Sequence, residues 1–125
     1  MHEATVLVIE SGPEATLVCA ALAKKPEVQV LDAPDVGRAL KRLKTRPAPV
    51  ALAIVGAAGL AKCADLVKKL ETRGIPVVGV VAGLAPAARQ RALAAGVREI
   101  HDRPTQWRPY SELIGSLVAR FIPPR

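Results

Sequence analysis

Few residues of this chain could do chemistry, and they stand where apolar runs end. Glu10 and Ser11 close one run, Gly56 follows another, Val81 ends a third, and Arg103 stands before Pro104 after a fourth. A carboxylate, a hydroxyl and a guanidinium at one edge could hold an anion or a divalent cation, or a serine could attack. A catalytic serine needs a base, and neither His2 nor His101 has a feature placing it near Ser11, which reads better as a helix cap. His101 reads as the end of a strand. A divalent cation needs several oxygens, and Glu10 alone is too few. Cys19 and Cys63 lack a Cys or His partner at ligand spacing and read as small buried hydrophobes. Gly56-Ala57-Ala58-Gly59 before a helix invites an anion-binding reading. It lacks the Lys-Ser/Thr of a phosphate loop and the third glycine of a dinucleotide fingerprint, so a tight turn is the better account. The expectation is no catalytic residue, no metal, no cofactor and no enzyme activity.

The elements that position these residues follow from the hydrophobic rhythm. Thr5–Glu10, Val28–Leu31, Val50–Val55, Val77–Val81 and Val97–His101 are short apolar runs at near-even intervals. The intervening stretches are mostly amphipathic at helical spacing, the pattern of a parallel α/β sheet. In such sheets, ligand groups sit where strands end and helices begin. Ser11 with Glu14 reads as a capping box opening a helix that buries Leu17, Val18, Ala21 and Leu22. Asp35 opens a second helix, lined by Val36, Leu40 and Leu43. A third helix is expected over Leu60 to Thr72 and a fourth from Pro86 to just before Gly96. Residues 102–110 read as a loop, and Ser111 as the cap of a last helix buried through Leu113, Ile114, Leu117, Val118 and Phe121.

The 125 residues predict one domain, 1–125, with its core over about 5–122. Half the residues are apolar, but Phe, Trp and Tyr occur once each, so the core must be Ala, Val, Leu and Ile. Such packing suits a sheet covered on both faces. No apolar stretch approaches the ~20 residues of a membrane span, and Met1-His2-Glu3 lacks a basic leader region. A cytoplasmic location is expected. Two cysteines make no disulfide framework, and Cys19 and Cys63 fall on helices expected on opposite faces. The net charge is +7, of which residues 36–64 hold +6 with no acid among them.

In order and spacing these features resemble the receiver domain of bacterial response regulators, from about Thr5 to Ile122. Val6–Ser11 resembles the family's first strand with its acidic pair, and Ile75–Ala82 its fourth strand. Ala92–Val97 resembles the step before strand five, and Asp102-Arg103-Pro104 the closing Lys-Pro. The resemblance implies a flavodoxin-like (βα)5 three-layer sandwich, with a parallel five-stranded sheet in the order 2-1-3-4-5. It also implies a phosphoryl pocket made of an acceptor Asp ending strand three, two acids after strand one, a strand-four hydroxyl and a Lys. The corresponding residues here are Gly56, Glu10, Ser11, Val81 and Arg103. No acid within 36–64 can supply the acceptor, Val81 has no hydroxyl, and Arg103 is not equivalent to Lys. Glu10 and Arg103 either pair across the empty pocket or are both solvated at the rim. The Arg103–Pro104 bond is a candidate cis peptide by the same resemblance.

The chain therefore reads as a pseudo-receiver in two-component signalling, working by protein contact without phosphorylation. Its partner would be another signalling protein or a second copy of itself. The resemblance places recognition on the fourth helix, fifth strand and last helix, with Arg89, Arg91, Trp107, Arg108 and Tyr110 as binding residues. Trp107 and Tyr110 are either exposed anchors or the cover of the last helix. The alternative is an electrostatic adaptor or nucleic-acid accessory protein using Arg38, Lys41, Arg42, Lys44 and Arg46. Nucleic acid is the less favoured partner, because no stacking aromatics interleave this cluster.

Overall fold

Strand β1 (Ala4–Ile9) lies in the sheet with β2 (Val28–Ala33) on one side and β3 (Val50–Val55) on the other. Beyond β3 come β4 (Val77–Val81) and β5 (Glu99–Asp102), every pairing is parallel, and the order is β2-β1-β3-β4-β5. The computed structural model describes residues 4–10, 12–25, 27–45, 50–60 and 64–122. Ser11, Arg46 and Cys63, each singled out from the sequence, lie outside them. Strands β3 and β4 are apolar at every position, and β1 at every position but Thr5, because both faces are covered. Helices α2 (Val36–Thr45), α3 (Ala57–Leu60), α4 (Ala64–Thr72) and α5 (Pro86–Ala95) cover one face, over Leu7, Ile9, Ala53, Val55 and Val77. Helices α1 (Gly12–Leu22) and α6 (Trp107–Phe121) cover the other, over Val6, Val8, Leu52, Ile54 and Val78. Among the described residues no helix is long and apolar enough to cross a membrane.

Strand β2 runs to Ala33, two residues past the expected Leu31, and three other boundaries differ from expectation for a local reason. The segment after β3, expected as a tight turn, is a helical turn, Ala57–Leu60, closed by the Leu60 N–H donating to the Gly56 carbonyl at 2.9 Å. A Cβ at Gly59 would lie 2.5 Å from Val55 Cγ1, so glycine is what lets this turn pack down on the strand. Strand β5 begins at Glu99 rather than Val97, since the Val97 N–H is already given to the Ala92 carbonyl at 3.1 Å in the glycine C-cap of α5. Helix α6 begins at Trp107, four residues before the predicted Ser111 cap. Pro109 falls in its first turn, where a missing N–H breaks no intrahelical bond. Asp35 does cap α2, its Oδ1 accepting from the Arg38 N–H at 2.8 Å.

Candidate functional site

Sheet register brings the sequence-selected residues to one edge. The Glu10 N–H donates to the Ala33 carbonyl at 3.1 Å and the Gly56 N–H to the Ile9 carbonyl at 3.0 Å, so both residues are the first steps beyond their strands. Val55 pairs with Gly79, and β4 runs on two residues to Val81. Val81 in turn pairs with Asp102, and its carbonyl accepts from the Arg103 N–H at 2.7 Å.

At the centre of this edge Gly56 is buried, and a Cβ placed on it would fall inside the Glu10 carboxylate. Glu10 thus occupies the space from which a side chain at position 56 would grow. Val81 is 1% exposed and belongs to the apolar core. Arg103 does not form the Glu10 pair weighed from the sequence. Its Nη1 donates to Glu14 Oε1 at 2.5 Å, with both side chains partly buried. Arg103 Nε is buried with no hydrogen-bond partner. The Arg103–Pro104 bond is trans, as are all peptide bonds among the described residues. That corrects the cis expectation and is the ordinary preference of an X–Pro bond.

Tyr110 closes the site from α6 and is 3% exposed. Its phenol is pushed up to about 12, first by burial, then by Glu14, with Arg103 opposing and Glu10 and Cys19 adding to the rise. Glu10, Glu14, Arg103, Tyr110 and Cys19 therefore share one electrostatic neighbourhood. Cys19 itself is half-buried, and its thiol is raised by burial and by Asp32. Sequence reasoning missed Glu14 as a member of this site, and Tyr110, selected as a binding residue, proves to be the buried cover of the last helix. Glu14 was visible only as half of a capping box, and no local pattern ties it to a guanidinium 89 positions away.

The arrangement can hold a guanidinium and keep a phenol neutral. Position 56 itself offers no carboxylate, its side-chain space being taken by that of Glu10, and among the described residues no three His, Cys, Asp or Glu side chains are grouped to hold a metal. The remaining sequence-selected residues scatter. Arg89 is tied to strand β5, its Nη2 donating to Asp102 Oδ1 at 2.7 Å and its Nη1 to the Ile100 carbonyl at 3.3 Å. Arg91 is exposed, and Arg108 lies 3.8 Å from Glu112 on the same helix. Trp107 is 41% exposed, stacks on Tyr110 with ring centroids 6.2 Å apart, and carries Lys24 Nζ over its face at 5.1 Å. Tyr110, being buried, is removed from the expected binding surface. Arg38, Lys41, Arg42 and Lys44 all stand exposed on α2.

Solved structures match this architecture. The chain is similar to the phosphorylated cyanobacterial phytochrome response regulator RcpA, with a TM-score of 0.84 and 13% identity over 98% of this chain and 96% of that one. The fold is that of a receiver domain. A response regulator from Hahella chejuensis gives a TM-score of 0.80 at 16% identity, covering 97% of this chain and 96% of that one. A response regulator receiver domain from Rhodospirillum rubrum gives 0.74 at 20%, covering 97% and 95%. No protein-family model matches the sequence, and no curated protein matches it.

Proposed function

We propose that this receiver-fold domain acts in signalling by protein contact, independently of phosphorylation and without catalysis of its own. The observation that carries the reading is the Glu10 carboxylate seated over Gly56, where the receiver resemblance puts the acceptor side chain. Two further features support it. The strand-four position is the buried Val81, and the cation after β5 is engaged by Glu14. A receiver switches when a new phosphoryl charge recruits a hydroxyl and a lysine. Here the hydroxyl position is apolar and the cation is already neutralised, so the edge has nothing to switch. The partner is another signalling protein or a second copy of the chain, and Arg91, Trp107 and Arg108 on the α5-β5-α6 face remain available to it.

The test is direct. Acetyl phosphate or beryllium fluoride with Mg²⁺ should leave both the mass and the amide NMR spectrum unchanged. A phosphoryl adduct, or amide shifts centred on Glu10 and Gly56, would sink the reading.

A further inference from the structure

Among the described residues most arginines face a carboxylate: Arg38 faces Asp35, Arg89 Asp102, Arg98 Glu71, Arg103 Glu14, Arg108 Glu112 and Arg120 Glu99. Three cations outside that pattern converge on one place. Between the last turns of α2 and α4 lies an open cleft of about 320 Å³, floored by Leu40, Leu43 and Leu70 and rimmed by Lys44, Lys69 and Arg73. Leu70 is fully buried, Leu40 and Leu43 are half-buried, and the three cations are exposed. Among the described residues none of the three makes an ion pair and no carboxylate lines the cleft. The acid nearest in sequence, Glu71, faces Arg98 at 3.7 Å instead. Cations are favoured at helix C-termini by the macrodipole. That accounts for the charges but not for the half-open leucine floor between them.

We propose that this cleft docks an acidic amphipathic segment of a partner protein. Leucine-sized side chains of the segment would enter over the half-buried Leu40 and Leu43, and its carboxylates would meet Lys44, Lys69 and Arg73. Charge and shape argue together for this occupant. A nucleic-acid backbone would satisfy the rim but leave the apolar floor uncovered. A helical segment with apolar residues at i, i+3 and i+4 and acids between them satisfies both. The volume is near the lower end for a small-ligand site, which suits a few side chains rather than a long acyl chain. The inference rests on the domain working by protein contact, but not on the β1–β3 edge being inert to phosphoryl donors.

The experiment titrates the ¹⁵N-labelled chain with a short fluorescein-labelled peptide carrying leucines at i, i+3 and i+4 and glutamates between them. Polyglutamate, random duplex DNA and anionic phospholipid vesicles are run in parallel. Expected are saturable peptide binding that weakens as salt rises and amide shifts confined to residues 40–44 and 69–73. Combining Lys44→Gln, Lys69→Gln and Arg73→Gln should lower affinity about tenfold; all three residues are exposed, so the variant should keep its circular dichroism. A glutamine-for-glutamate peptide should not bind. No peptide binding, shifts centred elsewhere, or a triple variant that binds like the parent would overturn the proposal. So would polyglutamate, DNA or vesicles binding as well as the peptide through the same residues. A phosphoryl response in the separate acetyl phosphate experiment would overturn the function reading and leave this surface standing.

Discussion

The Glu10 carboxylate lies where any side chain at position 56 must begin, so one glycine decides what this edge can hold. Gly56→Ala should displace the Glu10 carboxylate, the far end of a flexible side chain, and lower stability by no more than about 1 kcal/mol. Most of that cost should vanish in a Glu10→Ala background, a coupling that urea unfolding of the four proteins in a double-mutant cycle measures. An equal cost in both backgrounds would show that something other than Glu10 fills the space. Tyr110 gives a second handle at this scale, because it is the only tyrosine and its ionisation is read directly by ultraviolet absorbance. Its folded value is pushed up from 10 to about 12, so between those values the unfolded chain releases a proton that the folded one keeps. The stability linked to this phenol is therefore complete below pH 10 and is lost as pH rises towards 12. Tyr110→Phe should remove that part of the alkaline slope, and a phenol titrating at its ordinary value would contradict its burial.

At the scale of elements, strand β5 is tied to its neighbours by side chains as well as by the ladder. Glu99 accepts from Arg120 on α6 through two bonds, Nη2 to Oε1 at 2.5 Å and Nη1 to Oε2 at 2.7 Å, and His101 Nε2 lies 2.7 Å from Oε1. Arg120 first and His101 second hold the Glu99 carboxyl at about 2, below its usual 4.5. A depressed carboxylate stabilises fully above pH 4.5 and loses that contribution as pH falls through 2. Acid unfolding followed by circular dichroism should accordingly flatten in that window in Arg120→Gln, and less so in His101→Gln. Where α5 hands over to β5, Gly96 has φ +118° and a Cβ there would lie 2.9 Å from Val67 Cγ1. Gly96→Ala should cost about 1 kcal/mol or more, measured as a lower urea midpoint. These same boundaries mark where sequence reading runs out. β3, β4 and α5 were legible to the residue, because an unbroken apolar run or a Pro-to-Gly bracket defines each of them locally. The start of β5 was not, because the donor that would begin its ladder is taken by the preceding helix. Nor was the start of α6, where Pro109 reads as loop but sits in a helical first turn. In the site, Glu10, Gly56, Val81 and Arg103 were legible as strand-end positions, while the Arg103–Glu14 pair depends on how α1 and β5 meet and has no local signal.

The whole molecule separates its charge from its sheet edge. The edge carries Glu10, Glu14 and Arg103 in a largely closed arrangement, whereas residues 36–64 hold +6 of the total +7. On α2 the cations divide between two places: Lys44 rims the cleft, and Arg38 stands near the other end of the helix, 3.7 Å from Asp35. A field of this kind draws an acidic partner in over the ~8 Å screening length of physiological salt, while contact in the cleft decides how long it stays. The two roles predict different kinetics. Arg38→Glu, combined with Lys41→Glu and Arg42→Glu, should slow association with the acidic leucine-bearing peptide and weaken the salt dependence of that rate, with dissociation little changed. Lys44→Gln with Lys69→Gln and Arg73→Gln should chiefly speed dissociation. Each exposed substitution should shift folding stability by no more than about 0.5 kcal/mol, so the comparison reads binding and not unfolding. Stopped-flow association and chase-dissociation of the labelled peptide separate the outcomes. If the α2 reversal sped dissociation as much as the cleft variant did, the two surfaces would be one, and the basic face itself would be the binding site.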